Sequence, residues 1–202
     1  MGRSSIVVIG AAKGGTTAVA GITRILGVYY GTHQALGEWD NHHEDVEFFN
    51  LLYRGNNKVF DLIRKRNNDS KVWGYKHPTL YKKSHYRDIM LSNLINPKFI
   101  FVTRDLEAIG LRRGPDKTIA ERIADMTRLS MEQTNLLKWI NENSIDYIFV
   151  SYEKLLINTF DTIGIISDFI ETPFNSVICE KANRYIKAEA GYIDFQDFLN
   201  NE

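Results

Sequence analysis

The sequence predicts an α/β protein whose mostly parallel central sheet is flanked by helices in three layers. Three short apolar runs lead to this prediction, and they span Ser5–Gly10, Lys98–Thr103 and Asp146–Ser151. Their β-branched and aromatic residues are nearly uninterrupted, which is typical of parallel strands that are buried on both faces. Segments with helical spacing separate the runs, as the crossover connections of a parallel sheet require.

The other segments fit the same architecture. Lys71–Tyr75 is predicted to be a further strand, and Val28–Tyr30 a short one. The polar segment Thr32–Glu44 is interpreted as a loop. Apolar residues at helical spacing predict helices over Thr16–Leu26 (which Gly27 ends), Lys58–Arg66, Thr79–Ile95, Thr159–Ile170 and Ser176–Ile186, and one or two helices from Asp116 to Asn141. With 202 residues, no repeat and no linker, residues 1–202 are predicted to form a single domain.

The composition argues against several classes of function. The 25 basic and 25 acidic residues cancel, so no overall field attracts nucleic acid or a membrane surface, and any anion site must be local. No apolar run approaches the roughly 20 residues of a membrane-spanning helix. The single Cys179 excludes an intrachain disulfide, and the first strand begins by about Ser5, before any signal peptide could fit. We therefore expect a cytoplasmic protein without nucleic-acid or membrane partners.

A glycine-rich turn joins the first predicted strand to the following helix. It reads AAKGGTT. Backbone N–H groups at the N-terminus of a helix, together with the helix dipole, favour a bound anion. Gly14 and Gly15 allow close approach, Lys13 adds a positive charge, and Thr16 and Thr17 offer hydroxyl donors and an N-cap. The turn therefore predicts a site for a phosphate-like group.

The order of residues in this turn differs from that of nucleotide triphosphatases. Their pattern, G-x-x-x-x-G-K-[ST], places the lysine after the glycine. Here Lys13 precedes both glycines. The order K-G-G-T-T instead resembles the K-[ST]-G-T-T loop of sulfotransferases that use 3′-phosphoadenosine 5′-phosphosulfate (PAPS). The resemblance implies that the loop holds the 5′-phosphosulfate end of the donor.

Two later segments are similar to the same family and follow in the same order. Arg104 directly follows the run KFIFVT and matches the arginine of the family segment R-[DN]-P-x-[DE]-x-x-x-S. In that family the arginine and the serine bind the 3′-phosphate of the donor. Leu106 replaces the proline and Arg112 the serine. Either Arg112 supplies a stronger cationic contact or the site is altered, and Arg113 competes for this role. Tyr152, after YIFVS, matches a tyrosine beside the adenine; packing in the core is the alternative.

Sulfuryl transfer also needs charge relief on the leaving group and a base for the acceptor. Lys13 and Lys76 are the candidate cations, since WGYKHP resembles the E-K-[ST]-P segment of the carbohydrate branch of the family. HHEDVEFFN resembles the E-x-x-F-F segment of that branch, and alignment on the two phenylalanines places Asp45 at the catalytic glutamate. We rank Asp45 first, Glu44 second and His77 third as the base. A solvated helix start is the structural alternative for the two acids.

The resemblance implies transfer of a sulfuryl group from PAPS to a hydroxyl, or less often an amine, with adenosine 3′,5′-bisphosphate (PAP) as product. The acceptor, a small molecule or a carbohydrate, and the oligomeric state are not indicated. We expect no metal ion, because His42 and His43 beside Glu44 lack a second ligand pair at a familiar spacing. Two alternatives stay open: a P-loop small-molecule kinase, and a protein that binds the nucleotide without turnover, which the substitutions at Leu106 and Arg112 favour.

Overall fold

The structure, a computed structural model, describes residues 3–31, 43–54, 57–69, 72–78 and 84–186. Most of the predicted loop from Thr32, and the start of the helix predicted from Thr79, lie outside these residues. The strands are β1 (Ser4–Gly10), β2 (Val72–Lys76), β3 (Pro97–Thr103) and β4 (Asp146–Ser151). The helices are α1 (Thr16–Ile25), α2 (Val46–Tyr53), α3 (Lys58–Asp69), α4 (Ser84–Asn93), α5 (Leu106–Arg113), α6 (Ile119–Glu142), α7 (Tyr152–Ile157), α8 (Thr159–Ile170) and α9 (Ser176–Tyr185).

The four strands form one parallel sheet in the order β2-β1-β3-β4. Strand β1 is central, and its Val8 lies beside Lys76 on one side and Ile100 on the other. The predicted α/β fold with a parallel sheet between helices is confirmed. Because all strands point the same way, their carboxyl ends meet at one edge, where ligands bind in sheets of this kind.

Alternating side chains of the strands build a separate core on each face of the sheet. The face that carries Ile6 and Val8 packs against α1, α8 and α9. The face that carries Val7 and Ile9 packs against α2, α3 and the C-terminal part of α6. Burial on both faces explains why the central strands are uninterrupted apolar runs.

The prediction that Asp146–Ser151 is a buried strand is wrong. Strand β4 lies at the edge of the sheet, where Tyr147 and Phe149 are 43% and 48% exposed. Among its apolar side chains only Val150 is fully buried. An apolar run reveals strand propensity but not the place of the strand in the sheet.

Three short helices were not delimited by the sequence. Helices α2, α5 and α7 have 8, 8 and 6 residues, too few turns for a clear helical period. Each begins at a side-chain N-cap: Asp45 accepts a hydrogen bond from the N–H of Phe48, Asp105 from that of Ala108, and Ser151 from that of Lys154. Capping thus stabilises helix starts that periodicity does not show.

The structure decides one open alternative and corrects one prediction. Helix α6 is one continuous helix of 24 residues that begins after Thr118, whose side chain forms a capping box with Glu121. The short strand predicted over Val28–Tyr30 is a single bridge between Tyr29 and Trp73. Within the described ranges, no helix is both long and apolar enough to cross a membrane.

Candidate active site

The carboxyl edge of the sheet brings several of the predicted site residues together. Lys13 follows β1, Lys76 ends β2, Arg104 follows β3 and Tyr152 follows β4. Arg104 donates a hydrogen bond from Nη1 to the carbonyl of Lys13 at 3.3 Å, and its guanidinium carbon lies 4.6 Å from the centre of the Tyr152 ring. Residues predicted from separate segments therefore form one connected cluster.

The loop between β1 and α1 is a tight turn that depends on a left-handed backbone. The N–H of Gly14 donates to the carbonyl of Ala11 at 2.9 Å, and φ is 69° at Lys13 and 92° at Gly15. Gly15 is the N-cap of α1, and Thr16 is already helical, so the prediction of a threonine N-cap is wrong. A positive φ at the N-cap position favours glycine over threonine. Thr16 and Thr17 are buried in the first turn.

The start of α1 lacks the side-chain cap that many other helices have. Gly15 supplies no side-chain hydrogen bond, whereas Asp45, Thr118 and Asn175 cap α2, α6 and α9. The first N–H groups of a helix have no partner within the helix. At α1 these groups are the positive end of the helix dipole, and Lys13 adds a positive charge two residues ahead of the N-cap. This arrangement suits a phosphate or sulfate oxygen.

Two arginines hold the carbonyl groups of this loop. Arg113 donates from Nε to the carbonyl of Ala12 at 3.2 Å, alongside the contact of Arg104 with Lys13. The Nε of Arg104 is buried and has no hydrogen-bond partner in the described part of the chain. Arg112, which takes the place of the family serine, is exposed on α5. The structure therefore places Arg113, and not Arg112, against the loop.

Helical spacing could have separated these two arginines. The buried residues of α5 are Ile109 and Gly110. At about 100° per residue, Arg113 lies within about 10° of the middle of the face formed by these two residues, whereas Arg112 lies about 110° from it. Motif alignment counts positions and does not consider this direction.

Tyr152 packs against the loop between β1 and α1 from the side of β4. Its side chain is only 8% exposed, and Arg104 lies over its ring. A Cβ atom added to Gly15 would lie 2.3 Å from Cδ2 of the ring. The core-packing alternative therefore describes its surroundings well, and contact with an adenine stays a prediction.

We expect the Gly15→Ala variant to be less stable than Gly27→Ala. Both glycines have a positive φ, 92° and 97°, but no described atom lies within 4 Å of a Cβ added to Gly27. The left-handed backbone should lower the free energy of unfolding of both variants by about 1 kcal/mol. The clash with Tyr152 should lower that of Gly15→Ala by about 1–3 kcal/mol more. Urea denaturation measures the difference. Equal losses of unfolding free energy in the two variants would show that Tyr152 does not pack against the loop.

A buried ion pair joins β2 to the segment ahead of α2. The Nζ of Lys76 lies 2.7 Å from Oε1 of Glu44. The Lys76 side chain is 3% exposed and that of Glu44 21%. Burial lowers the pKa of Lys76; the Glu44 carboxylate opposes this effect, and the nearby charge of Lys13 adds to it. Lys13, Lys76 and Glu44 therefore form one electrostatic unit beside the loop.

Both oxygens of the Asp45 carboxylate are bound by neighbouring residues of the fold. Its Oδ1 accepts the N–H of Phe48 at 3.0 Å and its Oδ2 accepts Nη2 of Arg66 at 2.8 Å. The side chain is 3% exposed. Burial raises the pKa of Asp45, although the Phe48 N–H and Arg66 act against the shift. Both oxygens are engaged away from Lys76, so the geometry favours Glu44 over Asp45 as the reactive carboxylate.

Solved structures resemble this chain, although no protein-family model and no curated protein matches it. The sulfotransferase domain from the Synechococcus PCC 7002 olefin synthase is 14% identical with a TM-score of 0.64, over 99% of this chain and 94% of that one. The sulfotransferase domain from the curacin biosynthetic pathway is 12% identical with a TM-score of 0.58, over 88% and 77%. The chain has the sulfotransferase fold. The resemblance found in the sequence is therefore confirmed for the fold.

A further neighbour of this fold was solved with bound PAP. Mouse sulfotransferase SULT7A1, complexed with PAP, is 12% identical with a TM-score of 0.54, over 90% of this chain and 63% of that one. At such identities the likeness concerns the fold, and the chemistry must be argued from the residues of this chain.

The remaining predicted candidate, His77, lies at the carboxyl edge in an aromatic setting. Its ring stacks on Phe49 with the centroids 5.2 Å apart and lies 6.1 Å from Tyr75. The backbone N–H of His77 donates to the carbonyl of Val8 at 3.2 Å and so extends the pairing of β2 with β1. His42 lies outside the described residues, and His43 bonds to Tyr185. The described residues contain no group of three or more His, Cys, Asp or Glu side chains that could hold a metal ion.

Proposed function

We propose that this chain is a PAPS-dependent sulfotransferase that acts on a hydroxyl or amine of an acceptor. One observation supports this most: the buried ammonium of Lys76 pairs with the partly exposed carboxylate of Glu44. The pair lies close enough to Lys13, in the loop ahead of α1, for the two lysine charges to interact. The pair and the loop occupy the carboxyl edge of a sulfotransferase fold. An anion site and a candidate base are thus adjacent.

The residues around the loop fit a donor with a phosphate at each end. The uncapped N–H groups at the start of α1 and the Lys13 ammonium suit the 5′-phosphosulfate. Arg104, with its unpaired buried Nε, and Arg113 suit the 3′-phosphate, since guanidinium groups bind phosphate through paired N–H donors. When bound, PAPS supplies an activated sulfuryl group on a phosphate that can leave as an anion.

The chain contributes charge stabilisation and a proton acceptor. Lys13 and Lys76 place positive charge where negative charge grows on the leaving phosphate. Glu44 is partly exposed, whereas Asp45 is enclosed by Arg66 and Phe48. Lys76 fixes one oxygen of Glu44. The other oxygen is the atom that we expect to take the proton of the acceptor.

Calorimetric titration with PAP, with adenosine 5′-monophosphate (AMP) as the control, tests the donor site. Hydrogen bonds to a charged phosphate contribute about 1.5–3 kcal/mol each, so PAP should bind at least about ten times more tightly than AMP. Equal affinity, or no binding, would contradict the proposal. Thermal-shift measurements with ATP and magnesium address the kinase alternative, because a ligand of the folded state raises the melting temperature. A larger shift with ATP than with PAP would favour the kinase.

Turnover decides between an enzyme and a binding protein. Release of PAP from PAPS, measured with phenol and monosaccharide acceptors, should exceed release without an acceptor. PAP binding without acceptor-dependent release from any of these compounds would favour a protein that holds the nucleotide without turnover.

A further inference from the structure

The segment that carries Glu44 is fixed on both sides by buried side chains. His43 is 1% exposed and Asp45 3%. Asp45 is held by Arg66 and by the N–H of Phe48. His43 has a φ of 52°, in the left-handed region that residues other than glycine rarely adopt. Such a backbone persists only where its surroundings enforce it, and these positions are concentrated at functional sites.

The partner that holds His43 comes from the far end of the described chain. The Nε2 of His43 lies 2.8 Å from the hydroxyl of Tyr185 in α9, 142 residues away in the sequence. The two rings also meet edge to face, with centroids 6.0 Å apart and an interplanar angle of 64°. Tyr185 is 1% exposed, so this bond is shielded from water. A shielded hydrogen bond gives a well-defined position to both groups.

Tyr185 is at the same time fixed against the helix of the anion loop. A Cβ atom added to Gly21 of α1 would lie 2.2 Å from Cε1 of Tyr185 and 2.5 Å from its hydroxyl oxygen. The absence of a side chain at Gly21 therefore lets α9 approach α1 closely. Tyr185 connects the helix that begins at the anion loop with the segment that carries Glu44.

We propose that Tyr185 and His43 are positioning residues that hold the Glu44 carboxylate against Lys76 and in register with the anion loop. This inference rests on the proposed function, in which Glu44 is the base. Glu44 lies on a stretch without regular structure ahead of α2, so its place depends on the residues that flank it. A displacement of about 1 Å at a reacting group can lower turnover on the order of a hundred-fold.

The Tyr185→Phe variant tests the proposal against a matched control, Tyr30→Phe. Tyr30 is also 1% exposed, and its hydroxyl lies 2.7 Å from Oγ1 of Thr23 in the same helix α1. Each variant loses one buried hydroxyl, but only Tyr185 bonds to the segment of Glu44. We expect kcat for PAP release to fall at least about ten-fold in Tyr185→Phe, with KM for PAPS and PAP affinity within about two-fold. Tyr30→Phe should keep kcat within about two-fold.

A second readout needs no turnover. Glu44 raises the pKa of Lys76 against the effects of burial and of Lys13, so a displaced Glu44 should lower that pKa further. The titration of Lys76, followed by NMR of ¹³C-labelled lysine, should move to lower pH in Tyr185→Phe and stay unchanged in Tyr30→Phe. Glu44→Gln gives the full size of the effect. An unchanged Lys76 titration in Tyr185→Phe would overturn the proposal even if no acceptor supports turnover.

The two hypotheses fail in different ways. If Glu44→Gln keeps its turnover, the role of Glu44 in the proposed function is wrong. If Glu44→Gln is inactive but Tyr185→Phe matches Tyr30→Phe in kcat, only the positioning role is wrong.

Discussion

Replacement of Lys13 by alanine should lower kcat/KM for PAP release by a factor of about 10²–10³, the usual effect of removing one group that stabilises charge in a transition state. Lys13 is the exposed cation of the loop, and its ammonium is close enough to influence the charge on Lys76. No other residue of the turn 11–15 carries a charge. The remaining N–H groups can still bind the donor, so turnover should suffer more than PAP affinity.

The fold of this variant should be intact. Lys13 is exposed, and alanine meets the same left-handed backbone, at φ 69°, that lysine already tolerates. The free energy of unfolding in urea should therefore change by less than about 1 kcal/mol. Lys138→Ala, at an exposed position of α6, is the matched control and should keep full activity. Near-normal turnover in Lys13→Ala would remove the loop from the proposed mechanism.

The sheet could be predicted because its physical signal is local. Ile6, Val8 and Ile100 are almost fully buried, and strands covered on both faces are apolar at most positions. The tight turn between β1 and α1 could be predicted for the same reason, since Lys13 and Gly15 lie together in one short segment. The edge position of β4 could not be predicted, because Tyr147 and Phe149 are as apolar as core residues although both are exposed.

The assignment of individual site residues depends on where each side chain points. The spacing of residues in a motif does not give this information. Glu44 and Asp45 are neighbours in the sequence, but one bonds to Lys76 of β2 and the other to Arg66 of α3. The N-cap role of Asp45, ahead of the apolar residues of α2, was a local signal that could have separated them. The bond between His43 and Tyr185 left no such trace, because it joins residues that only the fold brings together.

Glu44→Gln and Asp45→Asn should have opposite profiles of turnover and stability. In Glu44→Gln the amide oxygen can still accept a hydrogen bond from Lys76. Lys76, unlike an arginine, can also release its proton when its carboxylate partner is lost, so stability should fall by only about 1–2 kcal/mol. The amide cannot take a proton, and kcat should fall by a factor of about 10²–10⁴. PAP affinity should change little, because the proposed function assigns Glu44 to the acceptor and not to the donor nucleotide.

In Asp45→Asn the larger loss should be in stability. Asparagine still caps α2, but Arg66, whose side chain is 8% exposed, loses its buried carboxylate partner. Arg66 then keeps only the exposed Glu47, 3.8 Å away, as an acidic partner. The loss should therefore approach the roughly 3–5 kcal/mol that breaking a buried ion pair costs. Below the melting temperature, kcat should fall by less than about ten-fold, since Glu44 keeps its own contact with Lys76.

Urea denaturation and PAP release, measured on both variants at one temperature at which each is folded, separate the two carboxylates. The expected result is a stable, inactive Glu44→Gln and a destabilised, active Asp45→Asn. The reverse pattern would restore Asp45 as the base, because an enclosed carboxylate that controls turnover more than stability must face the reaction and not Arg66 alone. Loss of turnover in both variants with equal stability would mean that the segment acts as one unit, and Tyr185→Phe would then have to show the same loss.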